Sequence, residues 1–299
     1  MTESPIGVIG GSGLYRLLDA ATSETRSIAT PYGSTLVTLG EFGGRSVAFL
    51  TRHGANHSVA PHRINYRANI WALASLGAKA VISSSAVGGL TAAYPPGSLV
   101  LTDQFIDRTH GRADTFFDGG SVGYSDETSD NGPDEDAGGH GSVQHLAAAD
   151  PFDPTLHRIA RAALTVAGET FLSAGTAVVI QGPRFSTRAE SRWFAAAGGH
   201  IINMTMYPEV PLAAELGMGT VNLAFVTDSD AGVETSAGSD PDADAVSHEL
   251  VLDRLAAAQP RIVAAIETIL RAIPDGYPGV ELIPADAVAE VLSRAEAPA

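Results

Sequence analysis

From Val221 to Val226 the chain reads Val-Asn-Leu-Ala-Phe-Val, and then turns polar at Thr227, Asp228, Ser229 and Asp230. A short apolar run closed by polar residues reads as a buried strand. Such a strand belongs to a sheet covered on both faces, which leaves few architectures open. Carboxylates at the exit of such a strand are costly unless they are solvated, paired or used. The Asp-x-Asp spacing suggests a site in which one carboxylate accepts a hydrogen bond while the other handles a proton.

The rest of the chain alternates in the same style. Strands are expected at 6–9, 45–51, 79–85, 98–102, 176–180 and 200–204. Apolar spacing predicts helices over 65–76, 188–197, 208–216 and about 243–273. Gly77 closes the first of these, Pro260 is expected to kink or split the last, and Pro274 to stop it. Alternation argues for one α/β domain over residues 1–299 with a mostly parallel sheet. Polar and glycine clusters recur at the expected strand ends, where open α/β sheets place ligands. Residues 118–141 break the order: they are rich in Gly, Ser and Asp and contain no Lys or Arg. Such a stretch cannot bury enough apolar surface to offset its ordering entropy and reads as a mobile surface insertion. Its acids do not follow the spacing of a calcium loop.

Absent cysteines exclude disulfides, thiolate metal sites and a Cys nucleophile. Asp and Glu number 34 against 18 Lys and Arg, a net charge of −16, which argues against nucleic acid as a partner. Lys79 is the only lysine. That balance suits a high-salt cytoplasm, and a GC-rich genome would produce it too. No secretory signal or bilayer-spanning run is visible, so a cytoplasmic protein with no membrane partner is expected.

Five clusters carry candidate chemistry beside Asp228 and Asp230. Gly10-Gly11-Ser12-Gly13 follows a strand and suits an oxyanion, or is a plain tight turn. It is neither a dinucleotide fingerprint, since Ile9 and Arg16 stand where glycines are needed, nor a Walker loop, since no Lys follows. Arg52-His53-Gly54 offers a forked donor and a second donor for phosphate, or is a surface Arg beside a capping His. Ser83-Ser84-Ser85-Ala86 is a run of hydroxyls that also fits a turn. Gln181-Gly182-Pro183-Arg184-Phe185-Ser186 carries an aromatic that stacks on a base or fills the core. Met204, between Asn203 and Thr205, is a soft contact or core filling. His57 and His62 lack a carboxylate at zinc spacing, so no metal is expected.

Eight runs carry a family resemblance. They are 9–14 (Ile-Gly-Gly-Ser-Gly-Leu), 30–33 (Thr-Pro-Tyr-Gly), 52–54 (Arg-His-Gly), 65–73 (Asn-Tyr-Arg-Ala-Asn-Ile-Trp-Ala-Leu), 104–109 (Gln-Phe-Ile-Asp-Arg-Thr), 181–190 (Gln-Gly-Pro-Arg-Phe-Ser-Thr-Arg-Ala-Glu), 203–205 (Asn-Met-Thr) and 227–230 (Thr-Asp-Ser-Asp). Together they resemble the methylthioadenosine phosphorylase branch of the trimeric purine nucleoside phosphorylase family. The resemblance implies a central mixed sheet, partly closed into a barrel and flanked by helices. It implies reversible phosphorolysis of 5'-methylthioadenosine to adenine and 5-methylthioribose 1-phosphate, in purine and methionine salvage. No cofactor is implied, phosphate being a co-substrate.

By the same resemblance Ser12, Arg52, His53, Ser85, Ala86 and Thr205 hold phosphate. Met204 packs on the ribose, Phe185 and Ser186 border the base, and His57 lies near the methylthio group. Asp228 and Asp230 meet the adenine N7 and 6-amino edge, and His145 reaches across a subunit interface. A homotrimer is implied, or a hexamer of two trimers. Ser12 and Ser85 stand where the family usually has threonine, and the insertion precedes His145. The 6-oxopurine branch carries Asn at the position of Asp228 and Glu at that of Ser186. Alternatives are a 6-oxopurine or methylthioinosine phosphorylase, an enzyme of broad purine specificity, a nicotinamide dehydrogenase, and a nucleoside-binding module without chemistry.

Overall fold

The run around Val221 lies in the longest described strand, Gly219–Ser229, where every residue but Ser229 is buried. A computed structural model describes residues 4–54, 57–118, 143–233 and 248–295 of the chain. The insertion proper, and residues 243–247 of the last expected helix, fall outside the described residues. The strands are β1 Ile6–Gly10, β2 Glu24–Ile28, β3 Thr35–Phe42, β4 Arg45–Thr51, β5 Ala80–Gly89, β6 Leu99–Thr102, β7 Gln104–Arg108, β8 Phe171–Leu172, β9 Thr176–Ile180, β10 Ile201–Asn203 and β11 Gly219–Ser229. The helices are α1 Tyr66–Ser75, α2 Pro154–Val166, α3 Arg188–Ala196, α4 Met206–Glu215, α5 His248–Ala272 and α6 Ala285–Leu292.

Strand β5 organises the sheet. It pairs with β1 and β11 in parallel and with β10 antiparallel. From β1 the sheet continues through parallel β4 to the antiparallel β3 and β2. From β10 it runs through β9 to β7, and from β11 to β6 and β8. β6 and β7 do not pair; they are consecutive strands separated by Asp103, and only through that covalent step does the circuit return to β5. This is the form taken here by the expected mixed, partly closed sheet.

Successive side chains of a strand point to opposite faces, and the core divides accordingly. Val8, Ile82, Val221 and Leu223 pack with Leu156 and Leu164 of α2 and Leu255, Ile262, Ile266 and Ile269 of α5. Ile9, Leu50 and Val81 pack with Ile70 and Leu73 of α1, Leu212 of α4 and Val291 of α6.

Three expectations are corrected. β5 does not end at Ser85 but continues to Gly89, so the serines are buried in mid-strand. Asp228 likewise lies inside β11, just after a register shift between Val226 and Asp228 that makes Thr227 the extra residue. α5 is not split at Pro260. The proline is exposed, while Leu255, Ala258, Ile262 and Ala265 anchor both halves in the core, so packing offsets the lost helical hydrogen bond. Tyr207 has non-helical φ and ψ, so the regular turns of α4 open at Pro208 as its sequence suggests.

Candidate active site

A cavity of about 360 Å³ collects residues from six places in the chain: the loop after β1, the turn after β4, β5, the segment after β9, the β10–α4 junction, and the end of β11 with α5. Ser12, Arg52, His53, His57, Ser85, Ala86, Phe185, Ser186, Met204, Thr205, Asp228 and Asp230 all line it. His145 does not; it is exposed, and it follows the undescribed stretch 119–142.

The glycines at the end of β1 permit close backbone approach. A Cβ on Gly11 would sit 2.5 Å from the Ser84 carbonyl oxygen and 2.8 Å from Arg52 Nη1. Behind this loop Arg52 is fixed along one edge. Its Nε and Nη2 donate to the two Glu209 oxygens at 2.6 and 2.7 Å, and Nη1 donates to the Ser84 carbonyl at 2.9 Å. Both side chains are almost wholly buried. Burial opposes the guanidinium charge, but the Glu209 carboxylate outweighs it and holds the Arg52 pKa above its ordinary value. One N–H on each of Nη1 and Nη2 is left for an oxyanion, since a guanidinium carries five. Glu209 was missed by the sequence reading; an acid between Pro208 and Pro211, at the start of a mostly apolar helix, was its only signal.

His53 departs from its expected role as a second donor. Its Nδ1 is 2.9 Å from the Val59 carbonyl, which can only accept, so Nδ1 carries the hydrogen. Burial first, then the neighbouring Arg52, pushes its pKa down to about 4. The ring is therefore neutral near pH 7, with Nε2 an acceptor. The His57 ring lies 4.5 Å from it, and Tyr15 Oη is 3.1 Å from His57 Nδ1. On β10, Asn203 Oδ1 accepts from the backbone of Thr205 and Met206, both at 2.7 Å, and so sets the start of α4.

At the end of β11, Asp228 Oδ1 accepts from the Thr227 hydroxyl at 2.6 Å. Arg254 of α5, also unforeseen, donates to the Thr227 carbonyl at 2.5 Å. Burial pushes the Asp228 carboxyl up to about 6, with Asp230 adding to the effect and the Thr227 hydroxyl and Arg254 opposing it. Burial also raises Asp230, against the hydroxyls of Ser191 and Ser186. Asp230 Oδ2 and Ser186 Oγ are nevertheless buried without a bonded partner at hydrogen-bonding geometry among the described residues. Buried polar atoms in this state are satisfied by ligand or water. The cavity thus joins donors suited to an oxyanion with a carboxylic acid that titrates near neutrality.

A model of the phosphorylase superfamily matches residues 5–271. The chain belongs to that superfamily. It is 45% identical to the purine nucleoside phosphorylase of Streptomyces coelicolor over 91% of its own length and 90% of the relative's. It is 48% identical to the S-methyl-5'-thioadenosine phosphorylase of Mycobacterium tuberculosis over 78% of each chain. Among solved structures, the methylthioadenosine phosphorylase of Schistosoma mansoni in complex with adenine superposes with a TM-score of 0.77 at 28% identity, covering 97% of this chain and 96% of that one. Among the described residues no group of three His, Cys, Asp or Glu side chains is placed to hold a metal, and no helix is long and apolar enough to cross a membrane.

Proposed function

We propose that the protein catalyses reversible phosphorolysis of 5'-methylthioadenosine to adenine and 5-methylthioribose 1-phosphate. The observation that carries this reading is the presence in one cavity of Asp228, its carboxyl pushed up to about 6, and of the anion-binding groups around Arg52. As the C–N bond breaks, positive charge develops on the ribosyl group. Phosphate held by Ser12, Arg52, His53, Ser85, Ala86 and Thr205 stabilises that charge and attacks C1'. Neutral His53 takes the P–OH of hydrogen phosphate on Nε2. Electrons from the broken bond collect on the purine, and N7 receives the proton of Asp228. Asp230 accepts from the 6-amino group beside Ser186, which meets the two unpartnered buried atoms. Met204 packs on the ribose, Phe185 borders the base, His57 adjoins the methylthio group, and His145 serves a neighbouring subunit. Phosphate is a co-substrate and no cofactor takes part.

The names of the mycobacterial and schistosomal relatives support this assignment. The streptomycete relative's name supports a purine nucleoside phosphorylase more broadly. A 6-oxopurine would set its O6 acceptor against Asp230, an unfavourable pairing that favours the 6-aminopurine. On the same reading the enzyme is a cytoplasmic homotrimer, or a hexamer of two trimers, in purine and methionine salvage. Its single domain carries residues 118–141 as an insertion.

The deciding experiment incubates purified protein with 5'-methylthioadenosine, with and without phosphate, beside inosine, methylthioinosine and adenosine. Adenine released only with phosphate is expected. Hypoxanthine released in preference would move the enzyme to 6-oxopurines, and no base from any substrate would leave a binding module. Light scattering of the same sample reads the oligomeric mass.

A further inference from the structure

Asn222 interrupts the apolar run of β11 and is wholly buried. Its side chain spans three strands. In register it faces Ser83 of β5 on one side and Thr102 of β6 on the other. Nδ2 is 2.8 Å from Ser83 Oγ, 3.0 Å from Ser85 Oγ and 3.4 Å from the Ser83 carbonyl oxygen, and Oδ1 is 3.1 Å from Thr102 Oγ1. The carbonyl fixes the amide's orientation. A flipped amide would turn Oδ1 toward the Ser83 carbonyl oxygen, two acceptors facing each other. The amide nitrogen therefore donates to Ser85 Oγ, and the Ser85 proton must go elsewhere. No described group accepts from that hydroxyl, and Ser85 lines the cavity while Ser83 does not.

We infer that Asn222 is a positioning residue for phosphate, which by donating to Ser85 Oγ turns the serine proton into the cavity. Thr102, also wholly buried, holds the amide in the required sense by donating to its oxygen. The chain of donation runs Thr102 to Asn222 to Ser85 to the oxyanion, each bond fixing the direction of the next. A free serine hydroxyl can rotate and either donate or accept; here it is held as a donor, with its reorganisation done before the anion arrives. The inference rests on the reading that Ser85 holds phosphate.

The test inverts the polarity of the link at nearly constant volume. Asn222→Asp replaces the donor with an acceptor, so the Ser85 proton turns back to the carboxylate. The KM for phosphate, measured at saturating nucleoside, is expected to rise about tenfold or more, the worth of one hydrogen bond to a charged group. The KM for the nucleoside is expected to stay within about twofold. Ser85→Ala is expected to raise the phosphate KM similarly, with no further rise in the double variant. Ser83→Ala, which loses the same amide contact outside the cavity, should leave the phosphate KM unchanged. A normal phosphate KM in Asn222→Asp, additive effects in the double variant, or an equal loss in Ser83→Ala would overturn the inference. An inert Ser85→Ala would instead remove the reading beneath it. If Asn222→Asp does not fold, Thr102→Val carries the test: a raised phosphate KM with an unchanged nucleoside KM is expected, and no change in either would overturn the inference.

Discussion

Burial lets Asp228 keep its proton and also makes it a liability. The folded chain holds its proton up to about pH 6, whereas an ordinary Asp loses it near 3.8. A carboxyl whose pKa is raised by folding costs no stability below the unfolded value. The cost grows between the two values and is full above about 6, where it amounts to roughly 3 kcal/mol at most. Asp228→Asn is therefore expected to raise the midpoint of denaturant unfolding at pH 7.5 and to leave it unchanged at pH 3.5 or below. Equal gains at both pH values would refute the burial argument. The same variant is expected to lose 5'-methylthioadenosine turnover by at least about 100-fold, the lower end of a general-acid contribution. It should also gain relative activity on inosine, since Asn can donate to a 6-oxopurine; an unchanged substrate ratio would count against that role. Glu209 presents the opposite case, a buried carboxylate satisfied by a cation. Glu209→Ala leaves the Arg52 guanidinium buried and unpaired and is expected to destabilise the protein by about 3–5 kcal/mol. Glu209→Gln, which keeps one acceptor, should lose less, and equal losses would show that the two-point geometry is immaterial.

At the scale of elements, the loop after β1 tolerates no side chain at Gly11. Its Cβ would lie within 3 Å of both the Ser84 carbonyl and Arg52. Gly11→Ala is expected to displace the loop carrying Ser12 and to weaken phosphate more than nucleoside; a uniform loss of both would point to general unfolding. Pro260→Ala restores a helical N–H in α5 and is expected to raise the thermal midpoint with activity intact. An unchanged midpoint would show that α5 already accommodates the proline without cost. Strands whose apolar residues are bounded by turn residues, β4 and β9 above all, fall where the sequence places them. β5 outruns its serines because Asn222 and the Gly11 amide satisfy their hydroxyls, partners that no local pattern reveals. β2 is Glu-Thr-Arg-Ser-Ile, exposed almost throughout, so it has no hydrophobic period to read. α2 did carry a signal that went unused: Asp153 caps Leu156 N–H at 2.5 Å, with Pro154 in the first turn. Glu209 and Arg52 are 157 residues apart, and Arg254 meets Thr227 only after α5 docks, so their pairing belongs to the fold.

For the molecule as a whole, a net charge of −16 means that acids repel one another over the surface. Screening should relieve this, and the thermal midpoint is expected to rise between about 0.1 and 1 M KCl, as the Debye length falls from about 10 to 3 Å. A flat or falling trace would assign the lysine-poor composition to coding bias instead. The branching of the sheet at β5 has a consequence in time. β5 is complete at Gly89, with β1 already available beside it, but β11 begins 130 residues later (219 − 89). At 5–20 residues per second a ribosome needs roughly 6–26 s to supply that partner. Through that interval the growing chain displays an apolar strand edge of the kind that recruits other chains. The two acids that would meet the purine emerge later still, so the binding cavity is among the last parts of the molecule to come into being.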